Sequence, residues 1–185
     1  MGSLKILPLL AAGFLAALLA WASVEPSPPA ALVREARLAY RRNSSAVKNP
    51  RYLTLIDYTK PIFVPRLWVI DMTTGAAVLT CRVSHALSSG FIYPDELSNE
   101  EGSQKSCAGS FVTRETYQGK FGASLRVVGL DPGNSRALRR HIVLHENLLP
   151  YSRGCWMTLP ATNRRLLALT KGGTFVYVAS VRRLR

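Results

Sequence analysis

The sequence predicts a mainly β, single-domain protein carrying a few short helices, and three observations support this. Short β-branched and aromatic runs recur along the chain: Tyr52 to Ile56, Arg66 to Ile70, Ala76 to Val83, Ser110 to Thr113, Ser124 to Val128, His141 to His145 and Thr174 to Val178. Turn-forming clusters such as Asp71-Met72-Thr73-Thr74-Gly75 and Leu130-Asp131-Pro132-Gly133-Asn134 separate them. The chain has 185 residues, enough for one domain with a proper core and short for two.

The elements follow in order. Lys5 gives a positive start, Ile6 to Trp21 is almost unbroken apolar sequence, and Ala20-Trp21-Ala22 places small residues where signal peptidase reads. Residues 1–22 are therefore expected to be a signal peptide, and the protein to be exported to the periplasm or secreted. The apolar run falls short of the ~20 residues of a spanning helix, and Glu25 with three prolines follows it in place of a basic flank. Residues 23–48 read as a Pro-rich leader and one amphipathic helix, Ala30 to Arg42, stopped by Asn43-Ser44-Ser45. Residues 49–185 read as the β-rich domain, with Arg66 to Val83 as a hairpin. Ser84 to Ser110 is a long irregular connection, of the kind that usually carries a binding or gating role. Near the C-terminus, Pro160 opens a helix over Ala161 to Thr170, Gly172-Gly173 ends it, and a last strand follows.

The formal charge is +13, and about +12 once Lys5 is removed with the leader. An exported chain this basic is expected to meet phosphate-bearing lipid or wall carboxylates, an anionic envelope surface. Nucleic acid is not expected, because pairs such as Arg139-Arg140 and Arg164-Arg165 lack an aromatic stacking platform between them. Three cysteines leave at least one unpaired. Cys155 is the natural surplus, and a bridge between Cys81 and Cys107 would close a loop of about 25 residues worth roughly 3 kcal/mol. The alternative is two buried free thiols behaving as small apolar residues.

The chemistry concentrates at His141-Ile142-Val143-Leu144-His145 and, ten residues beyond His145, at Ser152-Arg153-Gly154-Cys155. As a strand, the first run places His141 and His145 on one face and Ile142 and Leu144 on the other. An imidazole near a thiol can lower its pKa and make the thiolate needed for attack. Gly154 permits a sharp turn that exposes the sulfur and can aim backbone N–H groups at an oxyanion. Two histidines four apart on a strand lie about 13 Å apart, too far to share one tetrahedral ion, so no metal is expected.

Several ordered motifs give this pair a context. Asn49 to Tyr58, Arg66-Leu67-Trp68-Val69-Ile70-Asp71, Val83-Ser84-His85, Ser88-Ser89-Gly90, Phe111 to Lys120, Ser124-Leu125-Arg126 and Gly129-Leu130 together resemble the murein L,D-transpeptidase catalytic domain family. The resemblance implies the β-sandwich fold of that family, no cofactor, and peptidoglycan stem peptides as partners; the chain is read as a monomer. It implies Cys155 as nucleophile, His145 as base, and Ser152 and Gly154 as the turn that holds the oxyanion. His141, Glu146, Arg153 and His85 are candidate groove residues, although for His85 a structural hydrogen bond is the more favoured reading. Departures from the family pattern are Glu146 where glycine follows the histidine, a shorter connection to Ser152, Tyr151 in place of an arginine, and Trp156-Met157 after the cysteine. Glu146 is expected to orient the base, raise its pKa or block an acidic peptide. These departures keep two alternatives open: a catalytically impaired wall-binding relative, and a basic envelope protein binding anionic lipid.

Overall fold

A computed structural model describes residues 27–180. The signal peptide expected at residues 1–22 lies outside the described residues. The fold is mainly β, as the pattern predicts. Ten strands are β1 (Tyr52–Asp57), β2 (Leu67–Asp71), β3 (Ala77–Cys81), β4 (His85–Ala86), β5 (Gly109–Gly119), β6 (Gly122–Gly129), β7 (Val143–Glu146), β8 (Tyr151–Ser152), β9 (Trp156–Thr158) and β10 (Phe175–Ala179), and two α-helices are α1 (Ala30–Arg42) and α2 (Pro160–Thr170). Eight strands form one mixed sheet in the order β3-β2-β1-β10-β5-β6-β7-β9, and β4 pairs with β8 separately.

Alternation sorts the apolar residues onto two sheet faces. Ile56, Leu67, Val69, Phe111, Leu125, Leu144, Trp156, Val176 and Val178 share one core, which Leu166 and Leu167 of α2 complete. Leu53, Leu55, Trp68, Ile70, Phe175 and Tyr177 form the other, where Leu32, Ala36 and Ala39 of α1 cover them. The helix placed at Ala30 to Arg42 from sequence is thus packed onto the sheet, with Arg41 and Arg42 in its last turn complementing the helix dipole. Pro160 stands in the first turn of α2, where its missing N–H costs nothing.

The sheet curls on itself. Beyond β3, the Ser84 N–H donates to the Met157 carbonyl at 3.0 Å, and the Met157 N–H donates to Ser84 Oγ at 2.8 Å. Strand β9, the far edge of the sheet, is thereby capped by the segment that leaves the other edge. This closure rests on Arg66, a fully buried cation. Its Nε and Nη2 donate to the Val83 carbonyl at 3.1 and 2.9 Å, Nη1 donates to the Lys60 carbonyl at 3.0 Å, and its guanidinium stacks over Tyr58.

Arg66 also settles His85. Nη2 lies 2.8 Å from His85 Nδ1 and can only donate, so Nδ1 accepts and the Nε2–H donates to the Gly90 carbonyl at 2.8 Å. His85 is therefore a neutral, fully buried structural residue, the favoured of its two readings, and does not line a groove. Of the two readings open for Cys81 and Cys107, the structure takes the unbridged one: no disulfide joins them, with Cys107 buried in the first core and Cys81 at the end of β3. Burial raises the Cys107 thiol to about 11.

Burial holds His85 down to about 4, with the neighbouring Arg66 acting in the same direction. The unfolded imidazole binds a proton near pH 6.5, so stability from this site is complete above that pH and is lost as pH falls toward 4. The loss is on the order of 2 kcal/mol. Thermal melts at pH 7.5 and pH 5 should show a smaller acid-induced drop in Tm for His85→Gln than for the wild type, and an equal drop would refute the assignment.

Candidate functional site

The site is built where β7 and β9 run side by side. They pair in parallel with Leu144 opposite Trp156 and His145 opposite Met157. Leu144 and Trp156 enter the core, the latter edge-on to Phe111. His145 and Met157 therefore share the opposite face, and Cys155 lies immediately before β9.

A tight turn delivers Cys155. Gly154 has φ +125°, and a Cβ there would stand 2.6 Å from Ile142 Cδ1 and 3.3 Å from the Lys105 carbonyl. Ser152 closes the turn: the Gly154 N–H donates to Ser152 Oγ at 3.1 Å, and that hydroxyl donates to the Cys155 carbonyl at 2.7 Å. Ser84 Oγ donates to the same carbonyl at 3.2 Å. In this arrangement the Gly154 N–H is bonded to Ser152. Arg153 is exposed on the outside of the turn.

His145 is buried and held on two sides. Its Nδ1 lies 2.9 Å from the Glu146 carbonyl. A carbonyl only accepts, so Nδ1 carries the proton of the neutral ring and Nε2 keeps its lone pair. Phe121, at the tip of the β5–β6 hairpin, stacks on the imidazole with centroids 4.9 Å apart and planes 23° apart. Burial lowers the His145 pKa, while the Glu146 carbonyl and carboxylate pull the other way. Of the three roles considered for Glu146, its backbone thus orients the ring and its carboxylate favours the protonated form. That carboxylate folds over the hairpin turn, so a Cβ on Gly122 would meet Glu146 Oε1 at 2.5 Å.

His141 departs from its expected place. It precedes β7 with φ +54° rather than lying in the strand, so it does not share a face with His145. It is exposed, and its backbone carbonyl accepts the Cys155 Sγ–H at 3.5 Å. Burial raises the Cys155 pKa, opposed by the Val143 N–H and by Arg140. In this resting arrangement the thiol donates to the His141 carbonyl. Catalytic hydrogen bonds often tighten only when substrate is bound. Among the described residues, no group of three His, Cys, Asp or Glu side chains is placed to hold a metal.

Sequence reasoning did not anticipate Ser84, Phe121 or Arg140 as parts of the site. Gly119-Lys120-Phe121-Gly122 between two strand patterns signalled a two-residue hairpin with an exposed aromatic at its tip. The other two carry no local signal. A cleft of about 130 Å³ opens beside Met157, lined by Ile62, Phe63, Arg82, Ser84 and Leu148 among others. A larger groove of about 920 Å³, lined by Lys48, Tyr52, Arg114 and Gly173 among others, contains none of the residues predicted for the site.

The L,D-transpeptidase catalytic domain family matches residues 28–179, and the chain belongs to it. Members of that family are cysteine-dependent enzymes that act on peptidoglycan stem peptides and typically work in the cell wall, exported or in the periplasm. Among solved structures, the chain is similar to an L,D-transpeptidase from Stackebrandtia nassauensis at 15% identity and TM-score 0.44, with 72% of this chain and 57% of that one covered. It is similar to an L,D-transpeptidase from Mycobacterium smegmatis at 11% identity and TM-score 0.44, covering 70% and 59%. A third is the helical cell shape determining protein Pgp2 from Campylobacter jejuni, at 11% identity and TM-score 0.48, covering 83% and 57%. The chain thus spans less than two thirds of the length of these structures. No curated protein matches it.

Gly154→Ala tests the turn. The added Cβ at φ +125° should cost about 1–3 kcal/mol in backbone strain alone, lower Tm by several degrees, and move Sγ away from the His141 carbonyl. An unchanged melt would show that the turn is not strained.

Proposed function

We propose that the protein is an exported peptidoglycan L,D-transpeptidase in which Cys155 is the nucleophile and His145 the base. One observation carries the reading: the Glu146 carbonyl accepts from His145 Nδ1–H and leaves Nε2 free to act as an acceptor, on the strand that pairs with the one Cys155 immediately precedes. The Cys155 thiol passes its proton to Nε2 and attacks the carbonyl of the L,D bond before the terminal D-alanine of a stem peptide. The C–N bond breaks, the leaving amine takes the proton from the imidazolium, and a thioester remains on Cys155. An acceptor amine then attacks the thioester, giving its proton to His145 and releasing the thiolate. Water in its place gives a carboxypeptidase. A chain starting at residue 23, after a cleaved signal peptide, would carry out this chemistry in the periplasm.

A second reading, an impaired relative that binds wall without acylation, has one observation in its favour. The resting thiol donates to His141 rather than to His145, and burial raises its pKa.

Incubation with tetrapeptide muropeptides separates the two. Mass spectrometry should find loss of D-alanine and an acyl adduct on Cys155, both abolished in Cys155→Ala, with His145→Ala slowed by about 10²-fold or more. A wild type as inert as Cys155→Ala, with both proteins retained equally on purified sacculi, would establish the wall-binding reading instead.

The pH profile gives a further check. Neutral His145 is the competent base, and burial keeps its pKa below the ordinary 6.5, so the acid limb of kcat/KM should fall below that pH. Glu146→Gln removes a carboxylate that favours protonation and should move this limb further toward acid. Movement toward neutral pH would contradict the assignment.

A further inference from the structure

If Cys155 is the nucleophile, some group must offset the burial that disfavours its thiolate, and the neutral His145 carries no charge at rest. The candidate lies on the turn that precedes β7. Arg140 is anchored at three points: Nη1 donates to the Ser98 carbonyl at 2.5 Å, and Nη2 donates to Ser103 Oγ at 3.2 Å and to the Lys105 carbonyl. Its backbone N–H donates to the Arg136 carbonyl at 2.8 Å, holding the turn from within. Nη2 stands 3.8 Å from where a Cβ on Gly154 would sit, so the guanidinium lies directly against the turn that carries the thiol. The next residue, His141, is forced to φ +54° and presents its carbonyl to Sγ. One short turn thus supplies both the hydrogen-bond acceptor that parks the thiol and a cation beside it.

The other charged and titratable neighbours leave this position to Arg140. On β7, His145 is held neutral through Nδ1, and the Glu146 carboxylate folds over Gly122. On β6, Arg126 pairs with Glu115 at 3.0 Å. Lys105 pairs with Glu96, and Arg153 points outward from the turn. Behind the turn, Cys107 also bonds to the Arg140 guanidinium and stays protonated at neutral pH. A cation held by fixed acceptors beside the turn has its field organised before the reaction begins.

We propose that Arg140 is a positioning residue for catalysis: its locked guanidinium forms the cationic back wall of the Gly154 turn and favours the Cys155 thiolate. The proposal rests on the reading of Cys155 as the nucleophile, and it concerns the thiol's ionisation rather than contact with substrate.

The test is the pH dependence of iodoacetamide alkylation at Cys155 in the purified protein, read peptide by peptide so that Cys81 and Cys107 are followed separately. Arg140→Gln should raise the midpoint by about one unit, cutting the alkylation rate near neutral pH about tenfold, while Arg140→Lys should restore most of it. A folded Arg140→Gln protein with the wild-type midpoint overturns the proposal. If the Gln variant does not fold, Arg140→Lys decides. A midpoint close to wild type supports a charge effect, and a rise of about one unit with the charge retained overturns it. Acylation by muropeptides is scored independently. A wild type that never acylates while Arg140→Gln still shifts the midpoint removes the catalytic reading and leaves Arg140's effect on the thiol standing; acylation with no shift does the reverse.

Discussion

A buried guanidinium bonded to backbone carbonyls and an imidazole underlies the whole arrangement. Arg66 directs its hydrogen bonds to the carbonyls of Val83 and Lys60 and to His85, and lies over the ring of Tyr58. Desolvation lowers its pKa, yet it remains charged because an arginine starts so high. The cost of burying that charge is offset only while each donor keeps its acceptor. Val83 therefore cannot drift, and Ser84, next along the chain, holds Met157 and the carbonyl of Cys155. The position of the sulfur is inherited from a cation on the opposite edge of the sheet.

This explains why the two halves of the site differ in character. The cysteine half is a matter of backbone: a positive-φ glycine, a serine bonded to both sides of the turn, and a carbonyl from a left-handed His141. The histidine half is a matter of side-chain enclosure, with Phe121 over one ring face and Nδ1 tied to the next residue's carbonyl. Strand pairing joins the halves, since the β7–β9 register sets which side chains share a face.

Much of the fold was legible in the sequence because it follows from local periodicity. Helix α1 has the predicted bounds, β1 to β3 and β10 lie within a residue or two of the runs read for them, and the Asp71 to Gly75 cluster makes the expected hairpin turn. Strand β5 runs on to Gly119, well past Thr113, because its outer half alternates exposed polar residues that look like loop. Strands β8 and β9 are too short to announce themselves. In the site, His145, Ser152, Gly154 and Cys155 were named from motif and spacing. His141 falls outside the strand because a left-handed residue interrupts the apparent run, and the partner of His85, Arg66, lies 19 positions away where no local pattern shows it. Arg140 was invisible for the same reason: its acceptors lie at least 35 positions off.

The stacking of Phe121 on His145 places the cover of the imidazole on a two-residue hairpin turn. Hairpin tips tolerate insertion and exchange more freely than any strand they join. The surroundings of the imidazole can therefore drift among relatives while His145, Cys155 and the Gly154 turn stay untouched. A loop that supplies neither side chain would then be the cheapest place for evolution to retune the site.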